Sequence, residues 1–156
     1  MNRGYGPPAG DWWDRPDAFW LSCPATPANV GFARAVVAAF AARLPFTLDE
    51  IEEIKLAVSE VVSNVVLHAY DVPGGPLRLG ARVVDGLLEV VVEDDGRGIE
   101  DVAQAMQPGY SRLGEEHLGI GLTVAETYMS QLDIDSSPGV GTRVRMRKRP
   151  AAAAGT

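Results

Sequence analysis

The run TLDEIEEIKLAVSEVVSNVVLHAY at positions 47–70 holds a helix start, a core face and a polar stripe in one uninterrupted segment. Thr47-Leu-Asp-Glu50 is a capping-box pattern, in which the Thr47 hydroxyl satisfies a free backbone donor and Glu50 reaches back to it. A long helix is predicted to begin there. Ile51, Ile54, Val58, Val61, Val62, Val65 and Ala69 fall on one side at about 3.6 residues per turn, and this side faces a core. Glu60, Asn64 and His68 recur every fourth residue, in a stripe roughly 80° wide that borders the apolar arc. A carboxylate and a carboxamide at the edge of a buried face suit an oxygen site for a hard cation beside a proton acceptor. The same spacing also describes an ordinary polar helix edge.

Upstream of this run, Ala18 to Cys23 reads as a short strand, and Asn29 to Leu44 as a helix with Phe32, Val36, Val37 and Phe40 at helical spacing. On that helix Arg34 projects away from Phe32, Val36 and Phe40, and Arg34 and Arg43 are its only charges. A solvated face normally carries more, so the exposed side near Arg34 is a candidate partner surface. Downstream, Leu77, Leu79, Ala81 and Val83 alternate, Asp85-Gly86 makes a tight turn, and Leu87 to Val92 returns as an antiparallel partner. Residues 100 to 118 lack a period and carry Pro108, Gly109 and Gly114, which predicts a mobile connection of the lid kind. Gly121 to Ser130 reads as a helix. Leu132 and Ile134, the turn Ser137-Pro-Gly-Val-Gly141, and Val144 with Met146 form a second hairpin. This order predicts an α+β fold, a mixed, mainly antiparallel sheet with helices packed on one face.

The 156 residues suit a single domain, with 46% hydrophobic residues enough to fill a core that buries about 70% of the unfolded surface. Residues 1–16 read as irregular chain with one aromatic anchor from Trp12-Trp13, 17–149 as the compact unit, and 150–156 as a disordered tail. The lone Cys23 cannot form an internal disulfide, and no Cys/His cluster has zinc-ligand spacing, so a reducing, cytoplasmic setting is expected. The longest apolar run, Ala35 to Ala42, is far too short to span a bilayer. With 21 acidic against 14 basic residues, the net charge of -7 argues against nucleic-acid binding.

Three glycine-bearing segments add chemistry. Glu93-Asp94-Asp95-Gly96-Arg97-Gly98-Ile99 follows a strand of three valines, which places Asp94 at the strand end. There its carboxylate can accept from an exocyclic amine while Gly96 and Gly98 let a ligand approach the backbone, although Asp-Asp-Gly is equally an ordinary turn. Gly119-Ile-Gly121-Leu122 lies at a predicted helix N-terminus, where free N–H groups attract phosphate, but no lysine follows as in a phosphate loop. Gly139-Val-Gly141-Thr142 alone reads as a hairpin turn.

In order and spacing, Glu60-x3-Asn64-x3-His68, Asp94-x-Gly96-x-Gly98, Gly119-x-Gly121 and Gly141-Thr142 resemble the asparagine box and the glycine boxes of the Bergerat ATP-binding fold, also called GHKL, shared by gyrase, histidine kinases and MutL. More narrowly, Phe32-Ala-Arg-Ala-Val-Val-Ala-Ala-Phe40, Glu53-Ile-Lys-Leu-Ala-Val-Ser-Glu60 and Leu67-His-Ala-Tyr70 are similar to the anti-sigma factor serine kinases of sporulation and stress response. The resemblance covers about residues 17 to 148 and implies a two-layer α/β sandwich. The chain has no room for the transducer or phosphoacceptor domains of the larger members.

The resemblance implies a Mg²⁺- and ATP-dependent serine kinase that phosphorylates an anti-anti-sigma (STAS-domain) protein and otherwise holds a sigma factor inactive, working as a homodimer. Carried onto this sequence, Glu60 is the general base, Asn64 the Mg²⁺ ligand and Asp94 the reader of the adenine amino group. Gly96 and Gly98 admit the nucleotide, ATP or ADP, Gly119 and Gly121 bring backbone donors to its phosphates, and Thr142 supports the adenine end. His68 has either a packing role or a nucleotide contact. His117 stands where sporulation relatives often carry a lid arginine, and is a weaker clamp on a γ-phosphate because it is only partly charged. Arg112 is the candidate substitute. The alternative reading is a nucleotide-binding anti-sigma module with little or no transfer, and a detached histidine-kinase ATPase domain is a third.

Overall fold

A computed structural model describes residues 3–105 and 117–154. The run at 47–70 begins as helix α2 (Leu48–Asn64) with its capping box complete: the Glu50 N–H donates to Thr47 Oγ1 at 3.1 Å, and the Thr47 N–H to Glu50 Oε1 at 2.8 Å. At Val65–Ala69 it opens into a π turn and stops at Tyr70, which is extended. π turns concentrate at functional sites, and the wider turn takes His68 off the strict four-residue stripe.

Helix α1 (Pro27–Ala41) buries Ala33, Val37, Phe40 and Ala41. That stripe leaves Phe32 one position off the core, at 51% exposure, which corrects its expected place inside. Arg34 is half-buried toward α2, where its Nη1 donates to Ser59 Oγ at 3.2 Å. The outward side of α1 is formed by Phe32, Ala35 and Ala39; Arg34, about 200° round the helix from Phe32, lies on the side turned to α2, which corrects its expected place on the exposed side.

Strands β1 (Ala18–Pro24), β2 (Pro76–Val84), β3 (Leu87–Asp94), β4 (Gln131–Ser137) and β5 (Gly141–Lys148) form one sheet in the order β1-β2-β3-β5-β4. Among the described residues every pairing is antiparallel, where a mixed, mainly antiparallel sheet was expected. Asp85 and Gly86, at φ 52° and 76°, make the β2–β3 turn in the left-handed region that a two-residue hairpin requires. Leu77, Leu79, Ala81, Leu88, Val90, Val92, Val144 and Met146 face the helix layer and meet Ile54, Ala57, Val58, Val61 and Val62 of α2. Leu122, Ala125 and Met129, the first two on helix α4 (His117–Tyr128), complete this core. Full burial of one such aliphatic side chain contributes about 1.5–3 kcal/mol.

The other sheet face is charged. Arg78, Glu93 and Arg143 line up across β2, β3 and β5, as do Arg82, Glu89 and Arg147 four residues along each strand, with Gly80, Val91 and Arg145 between them. The N-terminal segment lies against this face, with Trp13 only 4% exposed and the Arg82 guanidinium 4.4 Å from the Trp12 ring centroid. The expected aromatic anchor is therefore Trp13.

Beyond β3 comes the short helix α3 (Val102–Ala105); most of the expected lid, Arg112 included, lies outside the described residues. Helix α4 starts at His117, earlier than the expected Gly121. Residues expected in a disordered tail include one helical turn, α5 (Ala151–Ala154), because the Ala151 N–H donates to Glu50 Oε2 at 2.9 Å. Among the described residues no helix is long and apolar enough to cross a membrane.

Candidate active site

The sequence-predicted nucleotide-site residues lie on α2 and the π turn after it, at the end of β3 and in the loop behind it, at the start of β5 and at the start of α4. Asp94, the last residue of β3, is 7% exposed. Its Oδ1 accepts the Gly96 N–H at 2.8 Å, and its carboxylate also accepts the Thr142 N–H from the paired strand. Burial nevertheless dominates and pushes the Asp94 carboxyl up to about 6. A desolvated carboxylate of this kind is a strong acceptor for an amine that arrives with a ligand.

Gly96 and Gly98 serve the protein's own packing as much as a ligand. A Cβ on Gly96 would stand 2.1 Å from the Ala69 carbonyl oxygen, the acceptor of the Arg97 N–H at 2.8 Å. The π turn is thereby docked directly on the loop after Asp94. Gly98, at φ 76°, lies so close to Ser137 that a Cβ would come within 2.3 Å of its carbonyl oxygen. One glycine thus admits the π turn and the other the end of β4.

Sequence reasoning assigned no role to three residues that hold this loop. Tyr70 accepts the Asp95 N–H at 2.8 Å and donates to the Pro76 carbonyl, and burial raises its phenol to about 12, so it stays a neutral donor. Ser136 Oγ accepts the Ile99 N–H at 2.7 Å and lies 2.8 Å from Thr142 Oγ1, which ties Thr142 to the loop. Arg78 clamps Asp95 through two 2.8 Å bonds. Tyr70 was visible only as part of a motif, and Ser136 and Arg78 gain meaning from strand register alone.

Glu60 and Asn64 lie on the same side of α2, both half-buried, and neither side chain has a hydrogen-bonding partner among the described residues. Asn64 is the last α-helical residue, immediately before the π turn. As a hard, uncommitted oxygen donor it fits Mg²⁺, which is usually held by one or two protein oxygens together with phosphates and water. His68 lies within the π turn and is half-buried. Because α4 begins at His117, the N–H groups of its first four residues, Gly119 among them, have no carbonyl of the helix to bond, while the Gly121 N–H is the first to find one.

The profile of the histidine kinase-like ATPase domain family matches residues 23–148. An anti-sigma F factor from Caldanaerobacter subterraneus subsp. tengcongensis is 50% identical over 121 residues, 77% of this chain and 85% of that one. Another from Clostridium acetobutylicum is 43% identical over 122 residues, 78% of this chain and 85% of its own. Among solved structures, the RsbU and RsbW domains of a Mycobacterium tuberculosis protein align with a TM-score of 0.60 at 23% identity, covering 85% of this chain and 32% of that longer one. The mycobacterial sensor histidine kinase MprB aligns at 0.51 and 18% identity, over 79% and 94%. At these identities the two structures speak for the fold alone.

Proposed function

The chain belongs to the histidine kinase-like ATPase domain family, and we propose that it is a cytoplasmic, Mg²⁺- and ATP-dependent serine kinase of a partner switch. In this reading it phosphorylates a serine of an anti-anti-sigma (STAS-domain) protein and sequesters a sigma factor when that partner is unavailable. The observation that carries the proposal is Asp94: a buried carboxylate anchored by two backbone donors, followed by a loop docked on the π turn that continues the helix of Glu60 and Asn64. The anti-sigma F factors at 43–50% identity support the choice of partners.

Each residue has a defined task. Asp94 accepts from the adenine amino group, with Thr142 supporting that end of the pocket. Asn64 holds Mg²⁺, which supplies charge neutralisation at the phosphates when bound with the nucleotide. The N–H groups at the start of α4 that lack an intrahelical carbonyl serve as donors to the phosphates, with His117 or Arg112 as the clamp on the terminal phosphate. Glu60 takes the proton of the attacking serine hydroxyl. Phosphoryl transfer makes few covalent demands on a protein, so these positioning and electrostatic tasks account for most of the catalysis.

Calorimetric titration with ATP and ADP tests the nucleotide part. Wild-type protein should bind both with an affinity that rises on adding Mg²⁺, and Asn64→Ala should lose the Mg²⁺ effect. Equal affinities for the two proteins, with and without Mg²⁺, would remove Asn64 from its role. The reading of a binding module without transfer keeps one specific support: the histidine at position 117. His117→Arg should raise the transfer rate, and a flat rate would point to Arg112 as the clamp.

A further inference from the structure

Arg78 lies on β2, only 3% exposed, on the sheet face turned away from the helices. A guanidinium carries five donors in a rigid fork, and a buried one is stable only when they are satisfied. Here Nε donates to Glu93 Oε1 at 3.0 Å, Nη2 to Asp95 Oδ1 at 2.8 Å, and Nη1 at 2.8 Å to both Asp95 Oδ2 and the Gly4 carbonyl. The bidentate grip fixes Asp95 in orientation as well as position. Asp95 follows Asp94 directly, and because successive side chains in extended chain point to opposite faces, the two carboxylates lie on opposite sides of the sheet edge.

The N-terminal segment closes this cluster. The Gly4 N–H donates to Asp95 Oδ2 and the Ala9 N–H to Glu93 Oε2, each at 3.0 Å. Further along, the Trp13 ring covers Gly80, where a Cβ would come within 2.5 Å of it. The strap therefore buries the ion pairs that hold the backbone on either side of Asp94. It also lies outside the region matched by the family profile, which begins at residue 23.

We propose that Arg78, closed over by residues 4–13, is the positioning residue of the adenine pocket: by clamping Asp95 it holds Asp94 and Gly96 in register and so sets the preference for adenine over guanine. This rests on the reading of Asp94 as the adenine acceptor. A site that recognises a base through one placed acceptor loses selectivity when the acceptor shifts, while contacts to the phosphates persist.

Titration of the full chain with Mg·ATP and Mg·GTP tests this in the wild type, Asp95→Asn, Arg78→Lys and Gly4→Pro. Gly4 combines a φ of 56° with an N–H bond to Asp95, and proline supplies neither, so Gly4→Pro unlatches the strap while leaving every charged side chain in place. Each variant should lose roughly tenfold to a hundredfold in ATP affinity, the scale of a displaced outer-shell partner, with GTP affinity little changed. Lysine supplies a point charge without the fork, so Arg78→Lys should recover melting temperature relative to Arg78→Ala but not the ATP:GTP ratio. If Arg78→Lys does not fold, Gly4→Pro decides. Folded variants with the wild-type ratio would overturn the positioning role alone, whereas a wild type that binds neither nucleotide would overturn the functional reading together with it.

Discussion

At Asp94 two forces oppose each other: burial raises the carboxyl to about 6, while the Gly96 and Thr142 amides favour the charged form. The folded value lies above the ordinary 3.8, so Asp94 contributes stability below about pH 4 that is lost as pH rises through about 6. The nucleotide-free melting temperature should therefore gain a component as pH falls from 7 toward 5, and Asp94→Asn should lack that component in parallel scans. Identical pH profiles for the two proteins would show that Asp94 ionises freely. Nucleotide binding has the opposite sign, because the amine needs the ionised acceptor: ATP affinity should fall as pH drops below about 6. Glu60, Asn64, Asp94 and the loop glycines were legible in the sequence as candidates only, because their spacing along the chain is itself the signal. Tyr70, Ser136 and Arg78 were not, since each acts through a partner that register, not proximity in sequence, brings within reach.

Among the elements, α2 was the most legible, its start written in Thr47 and Glu50 and its buried face in the isoleucines and valines. Thr47→Ala should cost about 1 kcal/mol and lower the melting temperature by roughly 2–4 °C, with ATP affinity unchanged. A calorimetric scan with no shift would make the capping box irrelevant to stability. The π turn escaped notice because the apolar positions continue through Val65 and Ala69, so periodicity does not distinguish a wider turn from another α turn. Its role is to deliver the Ala69 carbonyl to the Arg97 amide. Gly96→Ala would drive a methyl into that carbonyl, and we expect it to weaken nucleotide binding at least as much as it lowers stability. Phe32 was misplaced for a similar reason: four apolar residues suggest a buried face, but the packing seam of α1 runs through the alanines at 33 and 41.

For the whole molecule, the two sheet faces divide the work: the helix side carries the core and the proposed catalytic residues, and the outer side carries paired charges under the N-terminal strap. The composition of residues 1–16 announced irregular chain, but which face it covers depends on the glycine at position 80, a consequence of tertiary packing. The partner surface proposed on α1 is centred on Arg34 near the seam with α2, while Phe32, Ala35 and Ala39 form a separate, outward side. Arg34→Glu should weaken capture of the sigma factor while leaving ATP affinity intact, and light scattering should give the mass of a homodimer; normal capture by the variant, or a monomer, would contradict this surface. The central claim is phosphoryl transfer to a serine. Incubation of wild type and Glu60→Gln with radiolabelled ATP and the anti-anti-sigma protein encoded nearest to this chain measures it directly. We expect label on a serine of the partner with wild type and a loss of roughly 10²- to 10⁴-fold with Glu60→Gln at unchanged ATP affinity; equal labelling by both, or none by a wild type that binds Mg·ATP, would contradict it.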